Sequence, residues 1–155
     1  MKLIKQILTV LWLAVTPVAA LAQNVVNITD GTFELMPTAI PDFQGDTADA
    51  ATVGADIADV IRNDLSSTGL FRMIDEQAFI ERNLDIAVLP SFADWKTIRA
   101  EALVVGKTIV EPDGRMSTQF RLFDVFTGRQ LYSQQYTVQS RESWRRVAHI
   151  IADDI

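Results

Sequence analysis

The chain has 155 residues, one domain's worth, and its 48% hydrophobic and 22% charged content exclude bulk disorder. It carries a formal net charge of −6 and no cysteine. Disulfides, thiolate metal sites, cysteine nucleophiles and a cysteine-borne lipid anchor are therefore excluded, and nucleic acid and anionic membrane surfaces are poor partners for so acidic a chain.

The first 22 residues read as a Sec-type signal peptide. Lys2 and Lys5 supply the positive start, Ile7 to Val15 is apolar apart from Thr9, and Thr16-Pro17 ends the run. Ala20-Leu21-Ala22 fits the small-x-small rule and predicts cleavage between Ala22 and Gln23. The apolar run falls well short of the roughly 20 residues of a membrane span. Without Lys2 and Lys5, 12 of the 14 basic residues remain against 20 acids, a net charge of −8.

Asn24 to Thr29 is short and β-branched, an edge strand or a loose arm, and Asp30-Gly31 marks a turn. Asn27-Ile28-Thr29 is a formal glycosylation sequon, read as chance. Thr38 to Phe43 reads as a strand that Pro41 weakens near its end, followed by a loop with helix-start residues Gly45-Asp46-Thr47. Val53, Ile57, Val60, Ile61 and Leu65 predict an amphipathic helix from about Asp49 to Ser67, stopped by Gly69. Leu70 to Asp75 alternates as a strand, so strand, helix and strand suggest a parallel crossover. A short helix is expected over Glu76 to Arg82 and another after Pro90-Ser91, with Phe92, Trp95 and Ile98 on one face.

Ala102 to Val110 is apolar enough for the centre of a sheet. Pro112-Asp113-Gly114 and Thr127-Gly128 separate it from strands over Met116 to Phe126 and Gln130 to Gln139, an antiparallel meander. Ser140 is expected to cap a final helix with Trp144, Val147, Ala148 and Ile151 on its apolar stripe. No Gly or Pro stops that helix, which reads as a chain broken off as a fragment. The fold class is α/β, a mixed sheet of about five strands flanked by helices.

Residues for chemistry are few. His149 is the one histidine, expected on a solvated helix face between Arg145 and Asp153 rather than as a catalytic base. No Gly-x-Ser-x-Gly elbow and no phosphate loop are present, and Gly106 in its strand reads as room for helix packing. Asp42, Asp46 and Asp49 bracket the first crossover, where turn chemistry and capping are favoured over a metal. Phe123, Phe126, Tyr132 and Tyr136 could stack bases, but the acidic charge argues against it. No catalytic residue, metal or cofactor is expected, and a small hydrolase is the least favoured reading.

An ordered series then carries a resemblance: Pro37-Thr38-Ala39-Ile40-Pro41-Asp42-Phe43, Leu65-Ser66-Ser67-Thr68-Gly69-Leu70-Phe71, Leu103-Val104-Val105-Gly106, Asp113-Gly114, Phe120-Arg121-Leu122-Phe123-Asp124-Val125 and Trp144-Arg145-Arg146-Val147-Ala148-His149. Preceded by the export signal and the β-branched arm, it resembles the N-terminal domain of the TolB family of the Tol–Pal system, across essentially the whole chain. The resemblance implies an anticodon-binding-domain-like α/β fold that binds no nucleic acid and does not enter the membrane after cleavage. It implies a periplasmic, non-enzymatic role in outer-membrane integrity, protein import and envelope constriction at cell division. It divides the chain into signal peptide 1–22, partner-binding arm 23–33 and α/β domain 34–155, with Pal bound by a propeller that these residues do not include.

The family binds the C-terminal domain of TolA through its mature N-terminus. Carried over, the TolA-binding residues are Gln23, Asn24, Val25, Val26, Asn27, Ile28, Thr29, Asp30 and Gly31. Such an arm can add a strand to a partner's sheet edge, although Asn27 interrupts the apolar alternation. The alternative is a binding domain of curli-export or peptidoglycan-synthase-activator type. Those domains share the strand, the helix ending near Gly and the Val-Val-Gly strand, but usually follow a lipobox cysteine.

Overall fold

The computed structural model of the protein describes residues 34–155; the predicted signal segment and arm lie outside the described residues. The strands of the sheet are β1 (Met36–Ala39), β2 (Gln44–Gly45), β3 (Phe71–Met73), β4 (Ala102–Val110), β5 (Met116–Asp124) and β6 (Arg129–Val138). Its main path runs β3-β1-β4-β5-β6, with β2 also beside β4. β1 pairs in parallel with β3 and β4, while β4, β5 and β6 form the antiparallel meander. The α/β mixed sheet flanked by helices is thus as the sequence predicts.

The parallel crossover is made by α1 (Ala48–Ser67). Its apolar residues recur every three or four positions, so Val53, Ile57, Ile61 and Leu65 all face inward and are buried. Thr47 caps it, its hydroxyl accepting from Ala50 N–H at 3.1 Å. Gly69, at φ 70°, turns the chain out of the helix as expected. The short α2 (Phe92–Thr97) carries the fully buried Trp95, whose ring meets Phe79 edge-on at 5.2 Å. α2 ends without glycine: Arg99 sits at φ 59°, with Arg99 N–H bonded to Lys96 and Ala100 N–H to Trp95. α3 (Trp144–Asp154) buries Val147, Ala148, Ile151 and Ala152.

Strand alternation divides the interior in two. Val104, Met116 and Phe120 point to the face covered by α1 and α3. Leu103, Val105 and Phe123 point to the other, covered by α2 and the segment carrying Phe79, Leu84 and Ile86. The central position of β4 follows from its burial on both faces.

Several boundaries differ from the sequence reading. The first strand ends at Ala39 because the chain leaves β4 at Leu103 and rejoins it at Lys107 as β2. Between these points Ile40 and Phe43 drop into the core below α1. The helix expected over Glu76 to Arg82 is only a 3-10 turn, Glu76–Ala78, after which Phe79 takes extended backbone and is buried. Ser140 caps a 3-10 turn, Arg141–Ser143, and α3 begins beyond it.

Gly106 makes room for a side chain rather than a helix. A Cβ there would lie 2.2 Å from the Phe43 ring, and one at Gly54 on α1 would lie 2.3 Å from the Phe43 carbonyl oxygen. Phe43 is thus wedged between helix and sheet, its ring on β4 and its main chain on α1. Overpacking should make Gly106→Ala cost about 1–3 kcal/mol, and the cavity should make Phe43→Ala cost about 3–5 kcal/mol, in urea unfolding. Combined, they should cost less than their sum, because removal of the ring vacates the space the new methyl needs. Strict additivity would show that the two residues do not share that space.

Candidate functional site

The arm residues Gln23 to Gly31 and the Ala22–Gln23 cleavage point lie outside the described residues. Among the described residues a cleft of about 500 Å³ lies beyond the C-terminal ends of β1 and β3. That is where open α/β sheets usually offer their ligand crevice. One wall is the continuous stretch Pro41 to Gly45, a second is Ala51 and Ala55 of α1, and a third is Glu76, Phe79, Arg82 and Asn83.

Arg62 organises this end. Its guanidinium donates to the Ile40 carbonyl at 2.6 Å, and meets Asp42 at 3.2 Å, Asp59 at 2.5 Å and Glu76 at 2.8 Å. The loop after β1, the helix and the turn after β3 are thereby tied to one side chain that is 13% exposed. Burial alone would lower its pKa; the hydrogen bonds it donates to Asp59 and Asp42 and the charge of Glu76 outweigh that and raise it above the usual guanidinium value. Arg62 was missed in the sequence, though a signal existed: it is the one basic residue between Lys5 and Arg72, on a helix rich in aspartate.

The candidate carboxylates are dispersed. Asp42 serves Arg62, Asp49 pairs with Arg141 on the turn before α3, and Asp46 is exposed. Thr47, not an aspartate, caps α1. Among the described residues no three His, Cys, Asp or Glu side chains form a group able to hold a metal.

His149 is on the exposed side of α3 as expected, but its partner lies across the helix interface: Nδ1 is 2.6 Å from Asp64 Oδ2 on α1. Ser67 lines the same shallow pocket, yet its hydroxyl donates to the Asp64 carbonyl at 2.7 Å. No serine hydroxyl is bonded to the imidazole among the described residues, so the nucleophile–base contact of a triad is not made there. Of the four aromatics weighed for stacking, Phe123 is core and Tyr136 donates to Asp154, whereas Phe126 and Tyr132 are exposed.

A sequence model of the TolB amino-terminal domain matches residues 24–131. The chain belongs to the TolB amino-terminal domain family. The fold agrees. TolB from Acinetobacter baumannii superposes with a TM-score of 0.61 at 20% identity, over 77% of this chain and 27% of that one. The chain therefore corresponds to little more than a quarter of that TolB. The C-terminal domain of LpoB has the same fold. The Salmonella enterica protein aligns at TM-score 0.51 and 14% identity, over 68% of this chain and 83% of its own. The Escherichia coli protein aligns at 0.50 and 14%, over 70% and 86%. The family assignment makes this a Tol–Pal-related domain of periplasmic type. No helix among the described residues is long and apolar enough to cross a membrane.

Two outcomes follow. Arg62→Met leaves three carboxylates and the Ile40 carbonyl without their donor, and should lower unfolding free energy by about 1–3 kcal/mol in urea. Tyr136 should ionise at about 12, because its hydrogen bond to Asp154 favours the neutral phenol. A raised folded-state pKa means that this contribution is complete below the unfolded value, near 10, and is lost as pH rises towards about 12. Absorbance titration at high pH in a Tyr132→Phe background should show the shift, and Asp154→Asn should bring the transition back towards the ordinary value.

Proposed function

We infer that this chain is a non-enzymatic periplasmic component of a Tol–Pal system that binds the C-terminal domain of TolA through its mature N-terminus, Gln23 to Gly31. The observation that carries the reading is the extent of the family match. It begins at residue 24, so all but the first of the arm residues lie inside the family's own boundaries. The arm's composition supports a strand-addition mode. Val25, Val26 and Ile28 favour extended backbone, and main-chain hydrogen bonds then supply affinity with little dependence on side chains.

In this reading the signal segment 1–22 directs export and is removed. The body 34–155 is the scaffold, and linkage between the arm's docked and free forms passes one partner's binding on to another. Pal docks on the propeller of full-length TolB proteins, and no Pal contact is assigned to residues 1–155. The cellular roles, outer-membrane integrity and envelope constriction at division, follow from the same assignment. The alternative reading as a peptidoglycan-synthase activator has the LpoB-like fold behind it, but fold alone does not choose a partner.

Calorimetric titration with a TolA C-terminal domain tests the reading directly, comparing chains 23–155 and 34–155. Binding by the longer chain alone is the expected result. Equal binding by both would move the contact onto the folded body. Binding by neither would remove the arm's assignment and favour the synthase-activator class.

A further inference from the structure

We propose that the cleft beside β2 is a second docking site, distinct from the arm, which takes an extended segment of a partner protein carrying basic side chains. The argument begins with a gap in the sheet. β1 has β3 on one side and β4 on the other, but β3 ends at Met73 and the chain then turns away at Glu76–Ala78. β2 continues the place of β1 along β4, pairing Gln44 with Lys107 and Gly45 with Thr108. Nothing among the described residues continues the place of β3 beside it. The position one strand outward from β2 is a cleft of about 500 Å³.

In a parallel ladder the main-chain groups of successive residues point alternately to the two sides. Among the described residues β2 is paired on one side only. Among the described residues, Pro41 to Gly45 make no main-chain hydrogen bonds apart from those of the β2–β4 ladder. The outward groups of this stretch are therefore available to a strand laid in the gap, the mode by which sheet edges accept extended peptides. The walls set the size of side chain. Ala51 and Ala55 offer only methyl groups on the helix side, and Phe79 lies on the other, so small or β-branched side chains fit between them.

Charge selects the partner. Around the cleft stand the carboxylates of Asp42, Asp59 and Glu76, of which Asp42 and Glu76 line it directly. Arg62 faces all three with a single positive charge, and Arg82 on the third wall adds one more. The balance is acidic in a chain of net charge −6, which favours a basic occupant. The chain's own arm, Gln23 to Gly31, does not meet this requirement, since its one charged side chain is Asp30. The inference is independent of the TolA reading, which concerns the arm alone.

The test is an NMR amide titration of chain 23–155 with an acetylated, amidated Val-Lys-Val-Lys-Val peptide, and with Val-Glu-Val-Glu-Val as its acidic counterpart. The lysine peptide should shift the amides of residues 41–45 and 76–83 saturably, and the glutamate peptide should not. Replacing two exposed carboxylates, Asp42→Asn with Glu76→Gln, should weaken binding by about fivefold. Ala51→Leu fills the cleft from an exposed helix position, and should abolish the shifts while leaving thermal unfolding unchanged. The proposal fails if the lysine peptide produces no saturable shifts, or shifts centred elsewhere. It fails equally if the two peptides bind alike, or if Ala51→Leu binds as well as the parent chain.

Discussion

Phe43 is the side chain on which this architecture depends. Its ring occupies the space left by the absent Cβ of Gly106, and its carbonyl occupies the space left by that of Gly54. Helix and sheet can approach so closely there only because both contact points are glycine. The same insertion explains the discontinuous strand. For Phe43 and Ile40 to reach the core under α1, the chain has to leave β4 after Ala39 and return at Gln44. The break between β1 and β2 is the geometric consequence of burying those two residues.

A stretch that leaves the ladder gives up main-chain hydrogen bonds, and buried polar groups must find others. Arg62 meets part of that need by taking the Ile40 carbonyl at 2.6 Å. A guanidinium suits this place because its planar fork reaches a carbonyl and several carboxylates together. Its cluster of Asp42, Asp59 and Glu76 joins three segments distant in sequence, so the acidic surplus near the cleft arises from the device that holds the excursion in place. Among the described residues the outward groups of β2 are not met in this way, and that edge keeps its capacity to pair.

The parts of the fold that could be read from the sequence are those governed by local rules. The alternation from Ala102 to Val138, broken at Asp113-Gly114 and Thr127-Gly128, located β4, β5 and β6 closely because turn chemistry fixes hairpins. The stripe of α1 and its stop at Gly69 were equally clear. What escaped depends on neighbours remote in the chain. β2 is two residues long and exists only because β4 is beside it. Gly106 looked like a helix contact because its true neighbour, Phe43, is 63 positions away in sequence. Arg99 closes α2 in a conformation usually given to glycine, so α2 had no legible stop. His149 was compared with residues one turn away on its own helix, while its partner Asp64 belongs to another.

The same distinction bears on function. Catalytic sites leave marks in sequence because chemistry demands particular residue types, and this chain has neither cysteine nor more than one histidine. Binding through the main chain leaves almost no such mark, since any extended segment of suitable shape supplies the same donors and acceptors. The binding proposed for the arm, Asn24 to Thr29, and for the outer edge of β2 is of this kind. For them sequence yields only composition: the arm neutral apart from Asp30, and the cleft rimmed by carboxylates. On the two readings proposed, one partner meets the arm and another the body, so a small acidic domain holds two proteins at once.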